Sequence, residues 1–285
     1  MTVTPDLASY DILLASISGG KDSQTMLRHL VRQAEAAGVR DRIVCVFADL
    51  GDDDEWEGTE DIARHHAEVY SLRFIVVRKG ENKGEPVTLL QHIEKRGMWP
   101  DRQNRFCTSD LKRDPIGTVM TMLAAELRSA WRAQLAKGKW RLRKVRILNC
   151  MGMRAQESPA RALLPEFSSN GRVSNESVKH VDDWLPIHGM TEVQVWADIR
   201  ESGVKYHHIY DAGMPRLSCR FCVLAGRKTL VRAAQLDPRG ARKRADLEDK
   251  MGHTFQNGTS MHQIIAEAEA ATAAGTAVKA SNWEG

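Results

Sequence analysis

The feature that most constrains this chain is a short apolar run, Ile12 to Ile17, that ends in Ser18-Gly19-Gly20-Lys21-Asp22-Ser23. An apolar run of this length closed by glycines reads as a buried strand. The residues that follow, Met26, Leu27, Leu30 and Val31, recur at helical spacing. A strand that turns through glycine into a helix leaves unpaired backbone N–H groups aimed at one spot, where the helix dipole and the free donors favour a phosphate. Gly19 and Gly20 let the backbone approach a ligand closely, and Lys21 adds a mobile cation at what reads as an exposed helix start. The alternative is an ordinary turn with an incidental lysine. The stretch is not a Walker A loop, because Asp22 rather than Ser or Thr follows the lysine.

The same alternation continues along the chain. Arg42 to Leu50, Arg73 to Val77 and Val145 to Asn149 read as further strands. Helical patterns lie over Lys21 to Ala37, Gly58 to Tyr70, the stretch from Pro86 through Ile93, and Asp114 to Leu135 with Pro115 in its first turn. Strands alternating with helices predict an α/β fold, a parallel sheet flanked by helices with ligands at the carboxyl ends of its strands. The polar stretch Glu166 to Asp183 reads as a mobile loop, Glu192 to Glu201 as a helix and Tyr206 to Pro215 as a loop. From Lys228 onward a helical C-terminal extension is expected, basic at first and then alanine-rich. The expected division is a nucleotide-binding core over 1–165, a completing segment over 166–235 and the tail over 236–285.

At 285 residues the chain can build one large domain with an appendage or two small ones. No run of 18 apolar residues is present, so no membrane partner is expected. The opening MTVTPDLASYD lacks the basic segment and apolar core of a signal peptide, and a cytoplasmic location follows as an expectation. In that compartment five cysteines speak for metal or thiol chemistry rather than disulfides. The net charge of +4 is unevenly spread: eight basic residues and no acid lie between Arg128 and Arg146, with Trp131 and Trp140 among them. That block fits a nucleic-acid backbone, or equally a solvated helix end and loop.

Chemistry concentrates at the strand ends. Asp49 closes the second strand, where a carboxylate can hold a ribose hydroxyl or magnesium; Asp52, Asp53, Asp54 and Glu55 beyond it read as a solvated turn rather than a metal cage. The fourth strand leads into Gly152, Arg154, Glu157, Ser158 and Arg161, and the two arginines suit a triphosphate on which charge builds during cleavage. Cys107 precedes the long helix, and Cys219 and Cys222 form a late Cys-x-x-Cys. If the fold joins them, three thiolates could hold an iron–sulfur cluster, with zinc as the competing metal. Cys45 reads as core; Cys150 reads as packing or as a neighbour of the nucleotide; His207 and His208 read as surface or supporting residues.

Together these pieces resemble the phosphoadenosine phosphosulfate (PAPS) reductase family in its broad sense, with SGGKDS similar to the PP-loop of the ATP pyrophosphatases. The matching order is SGGKDS, Asp49-x-Gly51, Arg105-x-Cys107-Thr108-x-x-Leu111-Lys112, Gly152-x-Arg154-x-x-Glu157-Ser158-x-x-Arg161, then Tyr206 to Asp211 leading into Cys219-x-x-Cys222. The resemblance covers roughly residues 10 to 235. It implies an adenine nucleotide alpha hydrolase-like fold that binds ATP and magnesium through Ser18, Gly19, Gly20, Lys21, Asp22, Ser23, Asp49, Gly152, Arg154 and Ser158. The implied catalytic residues are Lys21, Asp22, Arg154, Arg161 and Cys107.

Departures from the family narrow the reaction. The cysteine close to the C-terminus that serves PAPS reductases as nucleophile has no counterpart after Cys222, and Thr108 stands where adenylylsulfate (APS) reductases carry a second adjacent cysteine. The remaining resemblance is to the ATP pyrophosphatase subunits of DNA phosphorothioation systems. It implies adenylylation of a DNA backbone phosphate, with sulfur from a cysteine desulfurase and other DNA-modification subunits as partners. A reductase of adenylylated sulfate and a nucleic-acid-binding module with a degenerate nucleotide pocket are the alternatives.

Overall fold

The computed structural model describes residues 4–135 and 142–278. In chain order the elements are β1 (Ile12–Ser16), α1 (Lys21–Ala36), β2 (Ile43–Asp49), α2 (Thr59–Val69), β3 (Arg73–Arg78), α3 (Leu89–Arg96), α4 (Phe106–Thr108) and α5 (Asp114–Ala133). They continue with β4 (Val145–Met151), α6 (Pro159–Ala162), β5 (Phe167–Ser169), β6 (Lys179–Trp184), α7 (Glu192–Ser202), α8 (Arg227–Leu236), α9 (Pro238–Met251) and α10 (Met261–Ala273). The chain forms two compact units that alternate along the sequence: the first takes 4–48, 60–77 and the described part of 113–206, the second 49–59, 78–112 and 207–278.

The first unit carries the sheet, in the order β3-β2-β1-β4-β6-β5. β1 pairs in parallel with β2 and β4, and β4 in parallel with β6, whereas β5 runs antiparallel to β6. Side chains of β1 alternate between two apolar layers. Leu13 and Ala15 join Leu27, Leu30, Phe47 and Trp184, whereas Ile12 and Leu14 join Val119, Leu123 and Val181. Both faces of the sheet are therefore buried, which is why its central strands read as unbroken apolar runs. Cys45 and Cys150 are fully buried within the first of these layers. Burial pushes the Cys45 thiol up to about 12, as befits a packing residue.

The segment Glu166 to Asp183 is a correction to the sequence reading, since β5 and most of β6 lie where a mobile loop was expected. Val181 alone supplies a fully buried apolar side chain there, so the apolar signal was thin. The polar residues are instead satisfied in pairs. Tyr10 donates its hydroxyl to Asp182 Oδ2 at 2.8 Å, and Asn149 Nδ2 donates to Asp183 Oδ1 at 2.8 Å. A buried strand can be polar when each carboxylate finds a donor.

The second unit is helical around a core that includes Trp56, Trp99, Phe106, Leu111, Phe221, Leu230 and Phe255. The rings of Trp99 and Phe255 meet edge to face at 4.9 Å. Among the described residues the C-terminal extension comprises three helices with local stop and start signals. Asp237 caps α9 ahead of Pro238, Gly252 ends it in the left-handed region, and Ser260 caps α10 reciprocally with Gln263.

Of the basic block, Lys137, Lys139, Trp140 and Arg141 lie outside the described residues. Arg143 is clamped to Asp11 by bonds of 2.7 and 2.5 Å and lies over the Trp131 ring, and Lys144 pairs with Glu176 at 3.3 Å. These side chains fasten the start of β4 to its surroundings.

Candidate functional site

In the first unit the β1–α1 turn has the geometry of an anion cradle. Gly19 takes a left-handed φ of 73°, and Gly20 caps α1 without a side-chain bond. Ser23 fastens the loop from within: its Oγ donates to the Gly20 carbonyl at 2.9 Å and accepts from the Ser18 amide at 3.1 Å. Lys21 is not the exposed residue expected from its sequence position. It is 1% exposed, because α1 turns its first residue inward toward α7. Its Nζ lies 3.4 Å from Glu192 Oε1 and 3.9 Å from Asp22 Oδ2.

Arg154, 4% exposed, faces the same helix start, and its Nε donates to Asp22 Oδ1 at 2.6 Å. Its Nη1 donates to Gln156 Oε1 at 3.0 Å, and the same oxygen accepts the Glu192 amide at 2.7 Å. Lys21, Asp22, Arg154, Gln156 and Glu192 thus form a closed circuit. Two buried cations are held at one helix N-terminus with their charge compensated, as burial requires. Gly152 sits where β4 passes closest to α1. A Cβ there would lie 2.6 Å from the Asp22 carbonyl oxygen and 2.9 Å from the Ser23 nitrogen. Ser158 caps α6 by accepting from the Arg161 amide, and Arg161 pairs with Glu157.

In the second unit Asp49 is held on both oxygens, Oδ1 accepting from the Gly51 amide at 2.7 Å and Oδ2 paired with Arg78. The turn after it is a second correction, because it is not uniformly solvated. Asp54 is 1% exposed, accepts from the Leu90 amide at 3.0 Å and pairs with buried Arg244 at 2.8 Å. Desolvation raises its carboxyl to about 6, against the pull of Arg244, and raises the Glu55 carboxyl to about 8. His207 is buried too: its Nδ1 accepts from the Ile209 amide at 3.1 Å, and its Nε2 lies 3.3 Å from the Thr59 hydroxyl.

The three predicted thiols all belong to this second unit and pack against its core. Cys107 lies in α4, which passes through one wide helical turn, Ser109–Arg113, that carries Lys112. Burial raises the Cys107 thiol, and the nearby Cys222 raises it further, while Thr108 and Lys112 oppose. Burial pushes the Cys219 thiol up to about 12; Lys112 pulls it down, and Cys222 and Cys107 push it up. Lys112 itself is desolvated, yet its pKa is raised, because Cys219, Glu55, Cys107 and Cys222 all favour its charge. Among the described residues no group of three or more His, Cys, Asp or Glu is arranged to hold a metal ion.

The Cys-x-x-Cys loop is anchored through its middle residues. The Arg220 amide donates to the Asp54 carbonyl at 2.7 Å, its Nη1 donates to Asp237 Oδ2 at 2.6 Å, and Arg244 lies over the Phe221 ring at 4.5 Å. Sequence reasoning assigned no role to Glu192, Gln156, Glu55 or Lys112. Only Lys112 carried a local signal, five residues after Cys107 within the same motif.

A family model described as phosphoadenosine phosphosulfate reductase domain matches residues 12–225. An uncharacterized protein of Methanocaldococcus jannaschii is 28% identical over 239 residues, covering 84% of this chain and 48% of the relative. An uncharacterized 37.8 kDa protein of Escherichia phage 186 is 27% identical over 165 residues, 58% of this chain and 43% of the relative. The chain thus spans about half the length of these relatives. Among solved structures, the PAPS reductase of Candida auris in a phosphate complex aligns with a TM-score of 0.44 at 16% identity, over 76% of this chain and 88% of that one. The U34-tRNA thiolase NcsA of Methanococcus maripaludis, with its [4Fe-4S] cluster, aligns with a TM-score of 0.46 at 14% identity, over 94% and 74%.

Proposed function

This chain belongs to the phosphoadenosine phosphosulfate reductase domain family, and from that premise we propose that it is an ATP pyrophosphatase that activates a DNA backbone phosphate for replacement of one oxygen by sulfur. Two features together support the reading: Cys107, Cys219 and Cys222 belong to one unit and pack against one core, and Lys21 of the PP-loop and Arg154 share the carboxylate of Asp22 at a helix start. A nucleotide-binding module alone has no use for the first set, and a thiol protein alone has none for the second.

The reaction consists of two displacements. A non-bridging phosphate oxygen of DNA attacks the α-phosphorus of ATP, and pyrophosphate leaves with the electron pair of the broken P–O bond. Lys21, Ser23 and the loop amides would hold the pyrophosphate, Arg154 and Arg161 would meet the developing charge, and Asp49 would hold ribose or magnesium. Next, the terminal sulfur of a persulfide on Cys107, loaded by a cysteine desulfurase, attacks the activated phosphorus and AMP departs. Cys219 or Cys222 as thiolate then attacks the Cys107 sulfur. The phosphorothioate leaves with the electrons of the S–S bond, and the resulting protein disulfide is returned to thiols by an external thiol reductant. An iron–sulfur cluster on Cys107, Cys219 and Cys222 has no part in this scheme, because among the described residues no group of three or more His, Cys, Asp or Glu is arranged to hold a metal ion.

The test is to incubate protein, desulfurase, cysteine, ATP, magnesium and DNA, digest the DNA with nuclease, and search by mass spectrometry for phosphorothioate dinucleotides. Their ATP-dependent appearance is expected. Sulfite formed in a parallel incubation with adenylylated sulfate and a thiol reductant would favour the reductase reading, and DNA binding without any turnover would favour the binding module.

A further inference from the structure

The first unit holds a second basic site, made of residues that none of the nucleotide chemistry uses. A cavity of about 340 Å³ opens beside the start of α5 and the start of β6, lined among others by Arg113, Asp114, Thr118, Thr121, Arg172 and Lys179. Three of these side chains are cationic and one is acidic, and that acid, Asp114, is already paired with Arg172. Around the rim Arg113, Thr118, Thr121 and Arg172 are exposed, whereas Lys179 at the floor is only 6% exposed.

Lys179 is unusual in its partners. Its Nζ donates to the Thr121 hydroxyl at 2.7 Å and reaches the Gly117 carbonyl at 3.5 Å. Among the described residues it makes no ion pair with a carboxylate. A buried ammonium without a counter-charge is costly, and desolvation accordingly lowers the pKa of Lys179. Elsewhere in this unit the buried cations Lys21, Arg28 and Arg154 each have a carboxylate beside them.

The sheet register separates this cavity from the PP-loop. Lys179 pairs with Val145 at the start of β4, whereas Met151 at its end pairs with Ser16, two residues before the PP-loop. Six residues of strand at about 3.3 Å each put the two sites roughly 20 Å apart, at opposite ends of the sheet.

We propose that this cavity binds a phosphate-type oxyanion, with Lys179 as its buried counter-charge and Arg113 and Arg172 as rim donors. A tetrahedral oxyanion accepts several charge-assisted bonds at once, which suits two guanidinium forks and an ammonium converging on one basin. The anion comes either free in solution or as the phosphodiester of a nucleic acid; both present the same oxygens.

The experiment measures binding of inorganic phosphate, sulfate and a short single-stranded oligonucleotide by calorimetry, at constant ionic strength and with a non-hydrolysable ATP analogue saturating the PP-loop. Parent protein is compared with Lys179→Met, which keeps the side-chain stem and removes the charge. Expected is one phosphate per chain in the parent and an affinity at least about tenfold weaker in the variant, which loses a charge-assisted contact. A loss confined to the oligonucleotide identifies the anion as a backbone phosphodiester and supports the same site. Equal binding of all three probes by parent and variant overturns the proposal. Arg172→Gln provides the same comparison should Lys179→Met fold poorly. Binding of the ATP analogue is measured separately, so failure of the PP-loop reading is distinguishable from failure of this one.

Discussion

Lys21 is 1% exposed, with carboxylates of Glu192 and Asp22 near its ammonium, so replacing it changes two quantities at once. Lys21→Ala removes one charge-assisted phosphate contact and should cost about 2–4 kcal/mol of transition-state stabilisation. It also leaves the Glu192 carboxylate without its cation, while Asp22 keeps Arg154, lowering stability by about 1–3 kcal/mol. Steady-state turnover and denaturant unfolding on the same preparation separate the two effects. Turnover at the parent rate would remove Lys21 from the chemistry. The sequence showed that a lysine follows the glycines but not that it is buried, because Glu192 lies 171 residues away and announces nothing locally. Lys112 is the opposite case. It stood inside a quoted motif, yet its importance emerges only once Cys219 and Cys222 arrive from more than 100 residues later.

At the scale of elements, β1, β2, β4 and the helices between them were legible because strands buried on both faces need continuous apolar residues. β6 was not, since it satisfies its carboxylates through Tyr10 and Asn149 rather than hiding apolar side chains. The approach of β4 to α1 was legible as a glycine but not as a contact. Gly152→Ala should push a methyl into the first turn of α1, costing about 1–3 kcal/mol of stability. Because that turn holds Asp22 and Ser23, ATP turnover should fall by more than stability does; a variant with parent turnover would deny the close approach any functional weight.

The turn after β2 makes a pH prediction. Asp54 has a folded-state carboxyl raised to about 6 from 3.8, so the folded protein holds this proton more tightly than the unfolded chain. Its contribution to stability is fully present below about pH 4 and is lost as pH rises through about 6. Denaturant unfolding of the parent between pH 4 and 7 should therefore contain a downward component that Asp54→Asn lacks. Identical pH dependence in the two proteins would mean Asp54 is not desolvated as described.

For the whole molecule, two units are woven from alternating stretches, the PP-loop lying in the first and Cys107, Cys219 and Cys222 in the second. That interleaving could not be read from composition, because Cys107 and Cys219 come from chain segments that the first unit interrupts. The order of motifs was readable; their grouping depended on the fold. The most direct test is to incubate purified protein with magnesium and ATP labelled at the α-phosphate, with and without DNA, and separate the products. The proposed function predicts pyrophosphate together with labelled AMP, free or attached to DNA, in amounts that rise when DNA is present. Labelled ADP with inorganic phosphate as the main products would contradict it.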